Sequence, residues 1–203
     1  MKVMKIIFAT HNQHKLDEVR DIIARELPAD SGIEVCGLHD IGCDEDIPET
    51  GDTLMENALQ KAQYVHEHYG CTCFADDTGL EIEALHGQPG VYSARYAGEP
   101  QNPAKNREKV LLLMQGMKQR TACFRTVIAF IHDGKTHYFE GRIDGEITTE
   151  EFGKQGFGYD PIFQPNGYEQ TFAQLQPEVK NTISHRALAM QQFITFLREN
   201  ETK

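Results

Sequence analysis

Apolar and polar positions along the chain follow two different periods, and the switches between them mark out the elements. Met4–Ala9 (MKIIFA) is a short unbroken apolar run, which predicts a buried strand. Polar residues break it from Thr10 to Lys15. Apolar positions then recur at Leu16, Val19, Ile22, Ile23 and Leu27, one face of a helix that Pro28 closes. Ile33–Leu38 predicts a second short strand. After an acidic loop, Thr53 and Glu56 form a capping box. The helix it opens puts Leu54, Ala58, Ala62, Val65 and Tyr69 on its apolar face and ends at Gly70. Glu56, Asn57 and Lys61 lie on its other faces, open to a surface role or a site role.

Cys71–Ala75 reads as a strand whose tip carries Asp76 and Asp77, with Thr78-Gly79 as the turn after it. Leu80–Leu85 alternates as a further strand. Asn102 and Pro103 give an N-cap and a proline at the first helical position, for a helix that turns Val110, Leu113, Met114 and Met117 inward. Thr121–Ile131 is apolar on both parities, as in a central strand covered on both faces. Asp133-Gly134 is a hairpin signal, and Tyr138–Ile147 is the returning strand. This long hairpin, about 121–148, is expected in a second lobe or a subunit contact. Ser184 caps a final helix with Ala187, Met190, Ile194 and Leu197 inward.

Composition narrows the function classes. The chain has 203 residues, 39% hydrophobic and 25% charged, enough for one domain with a sizeable core. Its formal charge of -11 repels a phosphate backbone, so no nucleic-acid partner is expected. A small anionic ligand is still compatible where basic residues converge or a metal intervenes. The five cysteines, Cys36, Cys43, Cys71, Cys73 and Cys123, contain no Cys-x-x-Cys pair and suit reduced thiols in the cytoplasm. Met1–Lys5 leads straight into the first strand without the apolar core of a signal peptide, and no segment approaches membrane-spanning length.

Three stretches carry candidate chemistry. Asp76 and Asp77 supply the hard oxygen ligands that Mg²⁺ takes, although Asp, Thr and Gly equally suit a solvated turn. The loop from Thr10 to Lys15 offers backbone N–H groups, a helix N-terminus and a lysine to an anion; an N-cap with a surface lysine fits it as well. Gly153–Phe163 mixes glycines with aromatics. There Phe157 offers a ring face for a base and Asp160 an acceptor for base N–H groups, or the stretch is an aromatic-filled turn. His185 and Arg186 fall in the first turn of the last helix, where cations oppose the helix dipole unless they meet an anion or a carbonyl-rich ligand.

Taken together these residues resemble the inosine triphosphate pyrophosphatase family, in its bacterial branch. The resemblance rests on four separated motifs: Thr10-x-Asn12-x-x-Lys15; Phe74-Ala-Asp-Asp-Thr-Gly-Leu80 with Pro89-Gly-Val-Tyr-Ser-Ala-Arg-Tyr96; Phe157-Gly-Tyr-Asp-Pro-Ile-Phe163; and Ser184-His-Arg186 preceded by Lys180. They run from near the start of the chain to near its end.

The resemblance implies a single domain over 1–203, an elongated mixed α/β structure with two lobes around a central cleft, working as a homodimer. It implies hydrolysis of ITP, dITP, XTP and dXTP to the monophosphate and pyrophosphate, with Mg²⁺. Asp77 carries over as catalytic acid/base and metal ligand. Thr10, His11, Asn12, Gln13, His14, Lys15 and Lys180 carry over to the phosphates, and Thr78 to the substrate. Phe157, Gly158, Tyr159, Asp160, His185 and Arg186 carry over to the base. Pro48 stands where many relatives have a metal-binding glutamate, and Glu49 is the nearest acid to take that role. Two other classes compete: a nucleotide sensor without chemistry, and a pyrophosphatase acting on pyrimidine or methylated nucleotides.

Overall fold

The computed structural model describes residues 3–28 and 30–201. Met1 and Lys2, and the last two residues of the expected 1–203 span, lie outside them. The elements run in the order β1 (Met4–Phe8), α1 (Gln13–Glu26), β2 (Ile33–Gly37), α2 (Leu54–Tyr69), β3 (Cys73–Ile82), β4 (Pro89–Gly90), α3 (Pro103–Leu113), β5 (Thr121–His132), β6 (Lys135–Ile147), β7 (Phe163–Pro165), α4 (Pro177–Ile183) and α5 (His185–Glu201). The mixed α/β class read from the sequence holds. The chain divides into two compact units, the first made of Met1–Asp77, Thr126–Gly141 and Arg186–Lys203, the second of Thr78–Arg125 and Arg142–His185. The 121–148 hairpin is therefore shared. Its turn end belongs to the first unit and its two open ends to the second.

In the first unit β1 lies between β2 and β3, parallel to both, with Ile6 opposite Val35 and Phe8 opposite Phe74. One core packs Ile6, Phe8, Phe74, Ile128 and Phe130 against Leu16, Val19 and Ile22 of α1 and Met190, Phe193 and Ile194 of α5. A second packs Ile7, Ala75, Cys73 and Ala129 against Ala58, Ala62 and Val65 of α2. The helix faces are the ones their periodicity assigns. Thr53 accepts from the Glu56 N–H while the Glu56 carboxylate accepts from the Thr53 N–H, so the capping box forms as read. Gly70, at φ 62°, ends α2 in the left-handed conformation that glycine adopts without strain. All five cysteines are free thiols, and Cys73 is a small core residue.

In the second unit β3 pairs antiparallel with β4, and β6 with β7, where Ile147 faces Phe163. Leu80, Ile82, Val110, Met114, Phe124, Phe163 and Phe172 form the core. Helix α3 ends at Leu113, so only Val110 and Met114 of its expected inward set are buried. Leu113 and Met117 are exposed.

One expectation fails instructively. The chain does not turn after Asp77: β3 continues through Asp76-Asp77-Thr78-Gly79 to Ile82, and Glu83–Leu85 is a 3-10 turn rather than strand. The Leu80 N–H donates to Ser93 Oγ at 2.9 Å, which holds the far half of the strand. The two carboxylates sit in mid-strand because cations from other elements meet them there. Among the described residues, no helix is long and apolar enough to cross a membrane.

Candidate functional site

Charged side chains that a fold seldom buries converge on the middle of β3 in the first unit. Asp76 is buried and points at two cations. Lys15 Nζ, from the first turn of α1, donates to Oδ1 at 2.8 Å, and Arg186, from the first turn of α5, donates from Nε at 3.1 Å and NH2 at 3.0 Å to Oδ2. Arg186 NH1 also donates to Glu18 of α1. Burial alone would raise the Asp76 pKa, but Lys15 and Arg186 outweigh it and hold the carboxyl well below the usual carboxylate range. The cation that opposes the α5 dipole thus meets an anion supplied by the protein itself.

Asp77 points to the other face of the strand, as the period of two requires. Asn57 Nδ2 of α2 donates to its Oδ2 at 3.1 Å, and Lys61 Nζ, one turn further along α2, stands 3.6 Å from Oδ1. Lys61 also donates to Glu49. Burial pushes the Asp77 carboxyl up, against the pull of Lys61 and Lys15. Burial works against the charge on Lys61 too, yet Asp77 and Glu49 outweigh it and keep the ammonium protonated. Two neighbouring carboxylates therefore have opposite tendencies: Asp76 is a fixed anion, and Asp77 holds a proton more readily.

The donor chemistry at Glu49 and Asp77 fits a divalent cation. Both carboxylates face one point of positive charge, now the Lys61 ammonium, and Mg²⁺ is commonly held by one or two carboxylates together with substrate phosphates. Among the described residues no group of three or more His, Cys, Asp or Glu side chains can hold a metal by itself.

The Thr10–Lys15 loop is ordered by its own polar side chains. Thr10 Oγ1 accepts from the Asn12 N–H at 3.1 Å, Asn12 Oδ1 caps α1 by accepting from the Lys15 N–H at 3.3 Å, and Gln13 Nε2 donates to Asp17 at 2.7 Å. His11 Nε2 donates to the Glu45 carbonyl at 2.8 Å, and His14 is exposed. From this stretch the Lys15 side chain reaches Asp76.

A separate cluster forms in the second unit. Asp160 is buried, accepting from the Phe157 N–H at 2.8 Å and from Lys180 Nζ of α4 at 2.7 Å. The Lys180 ammonium also lies 4.9 Å from the centre of the Phe157 ring, a cation–π distance. Lys180, which the resemblance carries over to the phosphates, thus meets Asp160 and Phe157 of the aromatic turn. Gly158 is half-buried, and Tyr159 is buried and donates to the Ser93 carbonyl at 2.8 Å. His185 stacks on Phe124 with ring centroids 4.6 Å apart. Thr78, the first residue of this unit, is half-buried on β3.

Sequence reasoning left Asn57 and Lys61 undecided and missed Glu18. The available signal was placement. Asn57 and Lys61 are one helical turn apart and each precedes a buried alanine, Ala58 or Ala62, so both border the apolar stripe.

A measurable consequence concerns acid stability. Because folding lowers the Asp76 pKa, its stabilisation is complete above the unfolded value near ~3.9 and is lost as pH falls toward the folded value. Urea unfolding across about pH 3 to 6 should show a steep loss at the acid end, and the Asp76→Asn variant a shallower one from a lower start. Equal slopes would remove Asp76 from the acid response.

Three comparisons bear on what this arrangement does. The model of the Ham1 family matches residues 6–196. A "dITP/XTP pyrophosphatase" of Porphyromonas gingivalis is 55% identical over 95% of this chain and 97% of its own length, and one of Christiangramia forsetii is 50% identical over 96% and 99%. Among solved structures, a HAM1 protein from Coxiella burnetii superposes with a TM-score of 0.86 at 38% identity, covering 97% of this chain and 100% of its own. The Staphylococcus aureus Ham1 protein gives a TM-score of 0.85, also at 38% identity, covering 97% and 99%.

Proposed function

The chain belongs to the Ham1 family, and from that premise we propose that it hydrolyses non-standard purine nucleoside triphosphates (dITP, ITP, XTP and dXTP) to the monophosphate and pyrophosphate. The observation that carries the reading is the opposed tuning of Asp76 and Asp77. One acid is locked by Lys15 and Arg186, and its neighbour is free to take a proton beside Lys61.

Asp77 is the general base. It orients a water and accepts its proton as the water oxygen attacks the α-phosphorus in line and the bond to the β-phosphate oxygen breaks. Its raised proton affinity brings it toward the range in which a base works near neutral pH. Asn57 fixes its carboxylate by a hydrogen bond. Lys15 and Lys61 neutralise charge that builds on the departing pyrophosphate, while the Thr10–Lys15 loop offers its N–H groups to the phosphates. Glu49 and Asp77 would hold Mg²⁺, which supplies Lewis acidity at the phosphate oxygens when bound.

Phe157, Gly158, Tyr159, Asp160, Lys180 and His185 are the base-recognition residues. Phe157 gives a stacking face already electrostatically polarised by Lys180. A carbonyl at purine position six is matched by N–H donors, whereas the amino group of adenine leaves such donors unpaired, and that penalty selects against adenine. Mg²⁺ as the cofactor, a homodimer and a cytoplasmic location complete the proposal; the first two rest on the motif resemblance and the third on the cysteines read as reduced thiols.

The test is incubation with dITP and Mg²⁺ followed by phosphorus NMR, with dGTP and dATP in parallel. Pyrophosphate and dIMP should accumulate while dGTP and dATP stay largely intact. Release of single phosphates would move attack to the γ-phosphorus and overturn the reaction class.

A further inference from the structure

The turn that carries Phe157 is tethered inside the second unit by more than its own motif. Asp160 and Phe157 bond to each other, with the Asp160 N–H donating to the Phe157 carbonyl at 3.1 Å, and Tyr159 anchors to Ser93. A further tether comes from outside the turn. Arg107, on α3, donates from NH1 to the Gly158 carbonyl at 2.9 Å and from Nε to Glu151 Oε1 at 2.8 Å. Its side chain is 16% exposed, so both bonds are partly shielded from water. The guanidinium spans the stretch from Glu151 to Gly158, and its two donor directions fix the position of one end relative to the other. Behind the same stretch, the Gln155 N–H donates to the Ala173 carbonyl at 3.1 Å.

We propose that Arg107 is a positioning residue for base recognition: by holding the Gly158 carbonyl against Glu151, it pre-organises the Phe157–Asp160 turn on which the purine stacks. The inference rests on the reading that this turn takes the base. An arginine bonded to a backbone carbonyl recognises no substrate atom itself. It lowers the ordering cost that the base would otherwise meet on binding. Its loss therefore weakens ground-state and transition-state binding together, which raises KM and leaves kcat alone.

Steady-state kinetics on dITP with Arg107→Met, Phe157→Ala and the double variant test this. Arg107→Met is expected to raise KM about five- to tenfold with kcat within about twofold, the size of one ordinary intramolecular hydrogen bond, because the arginine acts on the base only through the turn. In the Phe157→Ala background the same change should add less than about twofold, because the positioned ring is already gone. A lower Tm with unchanged KM would mean that Arg107 only stabilises α3 and would overturn the proposal. If Phe157→Ala itself leaves KM unchanged, the base assignment fails, a result distinct from one in which Phe157→Ala raises KM and Arg107→Met does not. Should Arg107→Met not fold, Arg107→Lys and Glu151→Gln carry the test. Each is expected to raise KM about two- to threefold, and an unchanged KM in both overturns the role.

Discussion

The Asp77→Asn substitution is expected to lower kcat on dITP about 10³-fold, within the ~10²–10⁴ range of a positioned general base, while the protein stays folded. The two halves of that expectation have one cause. Asp77 is buried with its pKa pushed up, so folding gains nothing from its charge; an amide of the same shape keeps the packing and can still engage Asn57. What the amide cannot do is accept a proton from water. It also leaves Glu49 as the remaining carboxylate facing Lys61, so the Mg²⁺ needed for half-maximal rate should rise together with the fall in kcat. Turnover measured against Mg²⁺ concentration, with thermal unfolding of both proteins, checks each part. A loss of less than tenfold at saturating Mg²⁺ would dismiss Asp77 as the base. A large fall in Tm would show that its carboxylate is structural.

Much of this architecture was legible because its signals are local. The capping box at Thr53 and Glu56, the Asp133-Gly134 hairpin and the apolar stripes of α1 and α2 each need only a few neighbouring residues, and each forms as read. The middle of β3 was illegible for the converse reason. Asp-Asp-Thr-Gly taken alone favours a turn, since two adjacent carboxylates cannot be buried without compensation. The compensation lies far along the chain: Lys15 is 61 residues from Asp76, and Arg186 is 110. No spacing rule reaches that distance, so a strand read as a turn. The pairing of Lys180 with Asp160 was illegible for a related reason, because the two sit on different elements. The candidate residues were identifiable one by one from their motifs. Which acid each cation meets, and hence which acid remains available for chemistry, is a property of the packed elements.

That same long-range pairing makes Arg186 the position where substitution should cost most stability. Arg186→Ala is expected to destabilise the fold by about 3–5 kcal/mol, because it removes one of the cations that hold Asp76 and takes the guanidinium away from Glu18. For a chain of this length that corresponds to a fall in Tm of roughly 6–20 °C. Both side chains are 2% exposed, so the pair is shielded from water in the native packing. Arg186→Lys restores charge without the fork that spans Asp76 and Glu18, and should fall between the two. The decisive variant is Asp76→Asn placed in the Arg186→Ala background. Removing the Asp76 charge should recover part of the loss, a coupling that appears only if the pair acts as a unit. Had Arg186 instead served the base alone, as its motif implies, Arg186→Ala would change the ratio of dITP to dATP turnover and leave Tm within about 2 °C. Thermal unfolding beside that ratio separates the two roles. A fall in Tm with partial recovery in the double variant makes Arg186, beside Lys15, a residue that keeps Asp76 ionised, and so leaves Asp77 as the carboxylate that can exchange a proton.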